Sequence, residues 1–281
     1  MHLKKTRRLG WAAGWFLLAG PVLATEPVTV EVGGRSLLIP APEGFERSDR
    51  VLPLYDEVNE AMLPPTNRRL ASFAPPEVVA KLRAGEIEEA ARHFALQSTK
   101  QLESQEISER AFQDARSAMK KEMEGLRAKL DEETQKLIAS GKAKIAEQQG
   151  VDLDLSVSDT AVLGFFEDNE MALGFTLAMN VNMPKGRSRQ VCAAVVAPVN
   201  GRMVNFYAYS AYTSAADRQW AETAARAWKN AALAANPRVP GSVLDGFDLG
   251  SVGRSALFGG IAGLAIGLVQ WLRKRRSRPV A

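Results

Sequence analysis

An uncharged apolar run near the C-terminus constrains this chain more than any other feature. Residues 255–272 contain no ionisable side chain and are followed by four basic residues, Arg273, Lys274, Arg275 and Arg276. At ~1.5 Å per residue, a helix over this run is about 27 Å long, just enough to cross the hydrocarbon core of a bilayer. The basic cluster is expected on the cytoplasmic side, where it can contact anionic lipid headgroups. The run therefore predicts a transmembrane helix over 255–272 and a cytoplasmic basic tail over 273–281. The alternative is a buried core helix that ends in a basic tail.

Three glycines in this run recur at every fourth position: Gly259, Gly263 and Gly267. A glycine stripe lets two helix backbones approach closely in a membrane, so it favours a homo-oligomer formed through the span. Glycine is also common in membrane helices that stay monomeric, which leaves a single span as the alternative.

The N-terminus has the pattern of a secretory signal peptide over residues 1–24. A basic stretch precedes the apolar segment Leu9 to Ala19, and Val22 and Ala24 occupy the −3 and −1 positions of a cleavage site before Thr25. An uncleaved signal anchor, which would give two spans, is the alternative. Cys192 is the lone cysteine, so no intramolecular disulfide is possible. No Asn-x-Ser/Thr motif occurs, which favours a bacterial periplasm over a glycosylating lumen. We therefore predict an inner-membrane protein with the bulk of the chain periplasmic and the C-terminus cytoplasmic.

The net charge of +4 does not indicate a nucleic-acid partner. Nine of the 36 basic residues lie in the two terminal segments, which contain no acid, so residues 25–254 hold 27 basic and 32 acidic side chains. A basic surface for phosphate binding is therefore not expected on the exported part, and nucleic acid is excluded as the main partner.

The exported region, residues 25–235, predicts an α+β domain. Val28 to Ile39 has the pattern of a hairpin that turns at Gly33-Gly34, and four further strands should form an antiparallel meander: Ala161 to Glu167, Met171 to Val181, Ser188 to Val199 and Arg202 to Tyr212. We expect the hairpin and the meander to form one antiparallel sheet. A capping box at Ser214 and Asp217 opens a helix to Ala235 with an apolar face of Trp220, Ala224, Ala227, Trp228 and Ala231. Residues 236–254 are rich in Pro and Gly and are predicted to be a juxtamembrane linker.

Short elements are predicted between the hairpin and the meander. Leu54 to Leu63 and Pro76 to Ala84 favour helices, and Arg69 to Ala74 favours a strand. Apolar residues at helical spacing over Glu86 to Leu102 predict another helix, which would place His93 at the surface.

Residues 108–149 predict one long amphipathic helix that packs beside the sheet. Its apolar stripe recurs at a mean step of about 3.67 residues, so it stays on one face. The stripe covers the chain's own domain or, alternatively, pairs with a helix of a partner protein. The residues proposed for such a partner contact are Phe112, Met119, Met123, Leu126, Leu130 and Leu137.

The sequence offers weak candidates for chemistry. Cys192 lies in an apolar stretch, and His93 is the one histidine available to activate it. Asp152, Asp154 and Asp159 are close in sequence but lack the glycine and distal glutamate of a calcium loop. Tyr207 and Tyr209 share a strand face that either lines a ligand groove or packs across strands. We predict no catalytic constellation, no metal site and no cofactor.

The segment Ile39-Pro-Ala-Pro-Glu-Gly-Phe45 after the first hairpin, together with the last helix bearing Trp220 and Trp228, resembles PsbP-like α+β domains. The chain as a whole also resembles uncharacterised proteobacterial periplasmic proteins with one C-terminal span. Because PsbP-like domains generally serve as assembly or accessory modules, the resemblance implies a binding role.

These observations favour a non-catalytic module, anchored in the membrane, that binds or scaffolds another protein of the cell envelope. A periplasmic domain that binds a small ligand or lipid is the alternative, and a hydrolase that uses carboxylates is a further one.

Overall fold

The computed structural model describes residues 26–86, 90–150, 152–183, 186–237 and 250–262. They form an α+β fold with antiparallel sheets, as predicted. The strands are β1 Val28–Val32, β2 Arg35–Ile39, β3 Glu46–Arg47, β4 Asn67–Ala74, β5 Arg92–Thr99, β6 Ser156–Asn169, β7 Ala172–Met183, β8 Gly186–Val199 and β9 Arg202–Ala211. The helices are α1 Pro53–Met62, α2 Pro76–Arg83, α3 Glu109–Leu126, α4 Leu130–Gln149, α5 Ala215–Ala235 and α6 Gly250–Ala262.

The main sheet has seven antiparallel strands in the order β3-β4-β5-β9-β8-β7-β6. The predicted four-strand meander is confirmed as β6 to β9, with Asn200 and Gly201 in the turn between β8 and β9. Strands β5, β9 and β8 lie in the middle, and almost all of their side chains are buried. Both faces of the sheet therefore need a covering layer.

Helix α5 and the first hairpin cover one face of the sheet, which we call the α5 face. Its core includes Leu96, Val195, Phe206 and Trp228. Helices α3, α4 and α6 cover the other face, which we call the α6 face. Its core includes Leu177, Cys192, Tyr207 and Tyr209.

The first hairpin forms where it was predicted, with Gly33 and Gly34 at positive φ in the turn. It is a separate two-stranded sheet, so the expectation that it joins the meander in one sheet is wrong. Val30, Val32, Leu37 and Ile39 are buried in the core of the α5 face. The hairpin thus serves as part of a covering layer.

The helix predicted over Glu86 to Leu102 is wrong. Residues 92–99 form β5, paired with β4 and β9, and His93 is buried on it and stacks on Tyr209 at 4.4 Å between ring centroids. A central strand that is buried on both faces loses the polar and apolar alternation by which strands are recognised. The predicted helices over residues 54–63 and 76–84 and the strand over 69–74 are all present as α1, α2 and β4.

The long helix predicted over 108–149 is divided in two. A short 3₁₀ turn, Arg127–Lys129, separates α3 from α4, and Lys129 leaves helical geometry with φ −114° and ψ 0°. The two helices contact different partners, α3 chiefly α6, and α4 chiefly β6 and α1. The break lets the two halves of the apolar stripe face different neighbours.

The structure does not support one spanning helix over 255–272. Helix α6 begins at Gly250, inside the stretch predicted as linker, and residues 255–261 are buried between α3 and the central strands. Within the described residues, no helix is both long enough and apolar enough to cross a bilayer. Residues 263–281 and the predicted signal peptide lie outside the described part of the chain.

The capping box at the start of α5 predicts a specific pH dependence of stability. Asp217 Oδ2 accepts from Thr213 Oγ1 at 2.7 Å, Ser214 N at 2.9 Å and Thr213 N at 3.0 Å. These hydrogen bonds, led by that from the Thr213 side chain, lower the pKa of Asp217 from 3.8 to about 2. Because the folded-state pKa lies below the unfolded value, the contribution is complete above pH ~4 and is lost as the pH falls towards 2.

We expect Asp217→Asn to lower the urea midpoint at pH 7 and to match the unsubstituted protein near pH 2. Glu77→Gln, in the exposed first turn of α2, is the control and should leave the difference between pH 7 and pH 2 unchanged. An equal loss for Asp217→Asn at both pH values would contradict the assignment.

Candidate functional site

Helix α5 has more apolar surface than the sheet beneath it can cover. The residues it buries are Ala221, Ala225, Trp228 and Ala232, and Lys229 is buried beside them. The predicted apolar face lies one position to the side and, apart from Trp228, is left partly or fully exposed. That second stripe forms one wall of an open groove.

The groove lies between α5 and the chain segment that leaves the first hairpin. Its volume is about 670 Å³, within the range of pockets that bind small molecules. Phe94 of β5 lies at its base. The wall from α5 consists of Trp220, Ala224, Ala227, Trp228 and Ala231, and the facing wall consists of Pro27, Leu38, Pro40, Ala41, Pro42, Glu43, Gly44 and Phe45. We call this site the Trp–Pro groove.

Aromatic packing fixes the base of the groove. The Trp228 ring meets Phe73, Phe94 and Phe206 edge to face, with centroids 5.1 to 5.4 Å apart. Its Nε1 donates a hydrogen bond to the Pro40 carbonyl at 2.8 Å, which gives the buried indole N–H a partner and ties the second wall to α5.

The two ends of the groove are held by polar contacts. Asn236, at the end of α5, accepts from Leu38 N at 2.8 Å and donates to Leu38 O at 2.6 Å. At the other end, the Arg92 guanidinium stacks over the Trp220 ring at 4.3 Å. The groove is therefore built from a rigid helix and a fastened loop.

The groove has little charge. Among its described lining residues, Glu43 is the one ionisable side chain, and none is Lys or Arg. The described lining offers an anionic headgroup or carboxylate no cation, and Arg92 at the Trp220 end already lies 3.8 Å from Asp217. The chemistry that fits is uncharged and apolar, with orientation set by backbone carbonyls and indole rings.

The structure makes Cys192 a buried core residue. Its side chain is fully enclosed, and burial raises the pKa of the thiol well above its ordinary value. His93 shares its row across the sheet, but Tyr209 lies between them, paired with His93 on one side and Cys192 on the other. A thiol with a raised pKa is a poor nucleophile, so this arrangement is unsuited to thiolate catalysis.

The acidic residues before the meander do not converge on a common site. Asp159 forms a salt bridge with Arg187 at 2.9 Å and accepts a hydrogen bond from Asn180, while Asp152 and Asp154 are exposed. Within the described residues, no group of three or more His, Cys, Asp or Glu side chains could hold a metal ion.

Tyr207 and Tyr209 contact a helix of the same chain. Tyr207 Oη donates to the Ala256 carbonyl at 2.9 Å, and Tyr209 Oη donates to the Gly259 carbonyl at 3.3 Å. Two further donors reach α6 from β4 and β5: Asn67 Nδ2 to Ser255 O at 3.0 Å, and Gln97 Nε2 to Gly259 O at 3.1 Å. We call Asn67, Gln97, Tyr207 and Tyr209 the helix seat.

The residues proposed for a partner helix lie within the domain itself. Five of the six are buried in the core of the α6 face, namely Phe112, Met119, Met123, Leu126 and Leu130, and Leu137 packs partly buried against them. They are therefore not presented to a partner in this conformation, because α6 and the sheet occupy that side of α3 and α4.

The described part of the glycine stripe also contacts the domain. A Cβ on Gly259 would lie 2.5 Å from Asn67 Nδ2 and 2.6 Å from Gln97 Oε1, and closer still to Tyr207 Oη. Gly263, Gly267 and the predicted lipid contacts Arg273, Lys274, Arg275 and Arg276 lie outside the described residues.

Sequence reasoning found the residues of the groove but not the groove. The α5 stripe and the Pro40 to Phe45 segment were both singled out, for packing and for resemblance. The signal for a site was the width of the apolar arc on α5, which spans two adjacent stripes.

No protein-family model matches the chain, and no match is found among curated proteins.

The hydrogen bond from Trp228 to Pro40 predicts a measurable effect on stability. Trp228→Phe keeps an aromatic ring against Phe94 but leaves the Pro40 carbonyl without this donor, so we expect a loss of about 1–3 kcal/mol in the free energy of unfolding. Trp220→Phe is the control, since no such hydrogen bond is removed from the loop. Equal losses for the two variants, measured by urea denaturation, would show that the bond does not secure the loop.

Proposed function

We propose that this protein is a non-catalytic interaction module of the bacterial cell envelope. In this proposal the Trp–Pro groove binds an extended, uncharged apolar segment of another envelope protein. The observation that carries it is the groove itself: a row of indole rings and small alanines on a rigid helix, facing a fastened proline-rich loop.

The length of the groove supports an extended segment. Trp220 and Ala231 mark its ends along α5, eleven residues apart, which corresponds to about 16 Å at ~1.5 Å per residue. An extended chain covers this distance in about five residues. Short segments of this length are typical of peptides recognised in aromatic grooves.

The lining chemistry supports a protein segment over an acidic lipid. Aromatic-lined grooves accept proline-rich and apolar side chains because ring faces offer a large contact area at a small entropic cost. The described lining contains Glu43 and no Lys or Arg, and Arg92 at the Trp220 end is paired with Asp217, which disfavours fatty acids and anionic phospholipids. The resemblance to PsbP-like accessory domains points the same way.

Export and membrane attachment are parts of the proposal that rest on the sequence. Residues 1–24 support export to the periplasm, and the apolar run 255–272 with its basic tail supports attachment to the inner membrane. The burial of residues 255–261 in the core bears on how this attachment operates.

A small apolar ligand is the second candidate. The groove volume of about 670 Å³ suits a drug-sized molecule. This candidate predicts that the purified protein carries an extractable neutral compound, which the protein-segment proposal does not.

Site-specific photocrosslinking in living cells tests the proposal. A photoreactive residue at Ala231, exposed in the groove, should give one discrete protein adduct. The same residue at Ala234, exposed on α5 outside the groove, should not. Ala227→Leu places a larger side chain in the groove and should reduce the Ala231 adduct by at least about tenfold, since a filled pocket excludes its ligand.

The matched variant Ala234→Leu makes the same substitution outside the groove and should leave the Ala231 adduct unchanged. Both leucines are placed at exposed helix positions, so each should change the stability by less than about 0.5 kcal/mol. An adduct that persists in Ala227→Leu, or that forms equally from Ala234, would contradict binding in the groove.

A further inference from the structure

Helix α6 lies in an unusual environment for the start of a predicted membrane helix. Ala256, Leu257 and Ile261 are completely buried, and the helix is enclosed between α3 and strands β5, β8 and β9. Arg254, just before the apolar run, forms a salt bridge with Glu122 of α3 at 2.7 Å. The segment is therefore an integral part of the core in this conformation.

The helix seat recognises α6 by its backbone. Four side-chain donors reach the carbonyls of Ser255, Ala256 and Gly259, and the seat residues themselves are almost fully buried. The contact requires a helix with glycine at its closest point, since a Cβ at Gly259 would overlap the seat. A Cβ at Gly260 would also be close to its neighbours, at 3.1 Å from Leu177 Cδ1 and 3.3 Å from Cys192 Sγ.

The seated segment is also needed for a membrane span. If residues 255–261 stay in the seat, the rest of the apolar run is residues 262–272. A helix of that length measures about 16 Å, roughly half of the ~30 Å hydrocarbon core. The remaining residues are too short to cross a bilayer as a helix.

We propose that the helix seat is a binding site for the chain's own C-terminal apolar segment, and that seating and membrane insertion are mutually exclusive states of that segment. Membrane attachment then requires α6 to leave the domain. This inference rests on the part of the proposed function that assigns residues 255–272 to a membrane, and it does not depend on the Trp–Pro groove, which lies on the opposite face of the sheet.

Departure of α6 has a defined consequence for the seat. Asn67, Gln97, Tyr207 and Tyr209 each lose a carbonyl acceptor of α6, while Asn67 Nδ2 keeps Gln97 Oε1 at 2.8 Å. Polar side chains that lose a buried hydrogen bond are better solvated, so water enters the vacated site. Cys192, the lone cysteine of the chain, lies beneath Gly260 and becomes accessible to solvent.

The test uses the full-length purified protein with two independent measurements. Flotation with vesicles of phosphatidylethanolamine and phosphatidylglycerol measures membrane attachment, and the rate of Cys192 alkylation by a water-soluble maleimide measures seat occupancy. Without vesicles, we expect Cys192 to be protected. With vesicles, the protein fraction that floats should be the fraction that is alkylated.

Gly259→Leu adds bulk where the seat has no room and should increase the alkylation rate without vesicles by about tenfold or more. It should also increase the floating fraction. Gly267→Leu adds the same side chain to the same apolar run outside α6, and it should leave Cys192 protected without vesicles. Tyr207→Phe removes one seat donor without adding bulk, so it should give a smaller shift of about threefold to tenfold. Circular dichroism checks that each variant retains its sheet.

The possible outcomes test mutual exclusion and membrane attachment separately. A protein that floats while Cys192 stays protected overturns mutual exclusion and leaves membrane attachment standing. Alkylation in Gly259→Leu without flotation of any variant supports the seat as a releasable site but overturns membrane attachment. Protection of Cys192 in folded Gly259→Leu and in Tyr207→Phe, with no flotation, overturns both.

Discussion

The central strands of the sheet bury side chains on both faces, and the rest of the structure depends on this double burial. At ~25 cal/mol per Å² of apolar surface, leaving either face open would cost far more than the marginal stability of a domain. Helix α5 and the first hairpin cover one face, and α6 with α3 and α4 covers the other. Residues 255–261 of the apolar run are in the core because the α6 face needs a close-packed layer there.

Local patterns predicted the elements that they determine locally. The Gly33-Gly34 turn, the alternation along β7 and the Asp217 cap each depend on a few neighbouring residues, and each is present. Strand β5 was predicted as a helix because apolar residues over Glu86 to Leu102 recur at helical spacing and do not alternate as those of β7 do. Residues 255–262 of α6 were predicted to begin a membrane span, and residues 250–254 to be linker, because an apolar run has the same composition in a protein core and in a bilayer. In both cases tertiary packing decides the structure.

In the Trp–Pro groove, too, the sequence predicted the residues and tertiary packing determined their role. The helical spacing of Trp220, Ala224 and Ala227 predicted an apolar face of α5, but it could not determine whether the sheet covers that face. The sheet covers the adjacent stripe, which includes Ala221 and Ala225. The apolar arc of α5 is wider than this stripe, so Trp220, Ala224 and Ala227 remain open to the groove. The alanines matter for their small size, because larger residues there would fill the space between α5 and the loop. Apolar residues in excess of what the fold can bury are the feature that sequence alone leaves unassigned.

The contact between α6 and the helix seat joins side-chain donors of the sheet to backbone carbonyls of the helix. The carbonyls of Ser255 and Ala256 also accept hydrogen bonds within α6, whereas that of Gly259 is among the last four of the described helix. All four seat donors lose a carbonyl acceptor if α6 leaves, but Asn67 Nδ2 keeps Gln97 Oε1 at 2.8 Å, so part of the cost of separation falls on the domain. In the proposed equilibrium between seat and bilayer, the donors Asn67, Gln97, Tyr207 and Tyr209 contribute alongside the hydrophobicity of the segment. A partner that offered carbonyls to these donors would lower the cost of releasing α6.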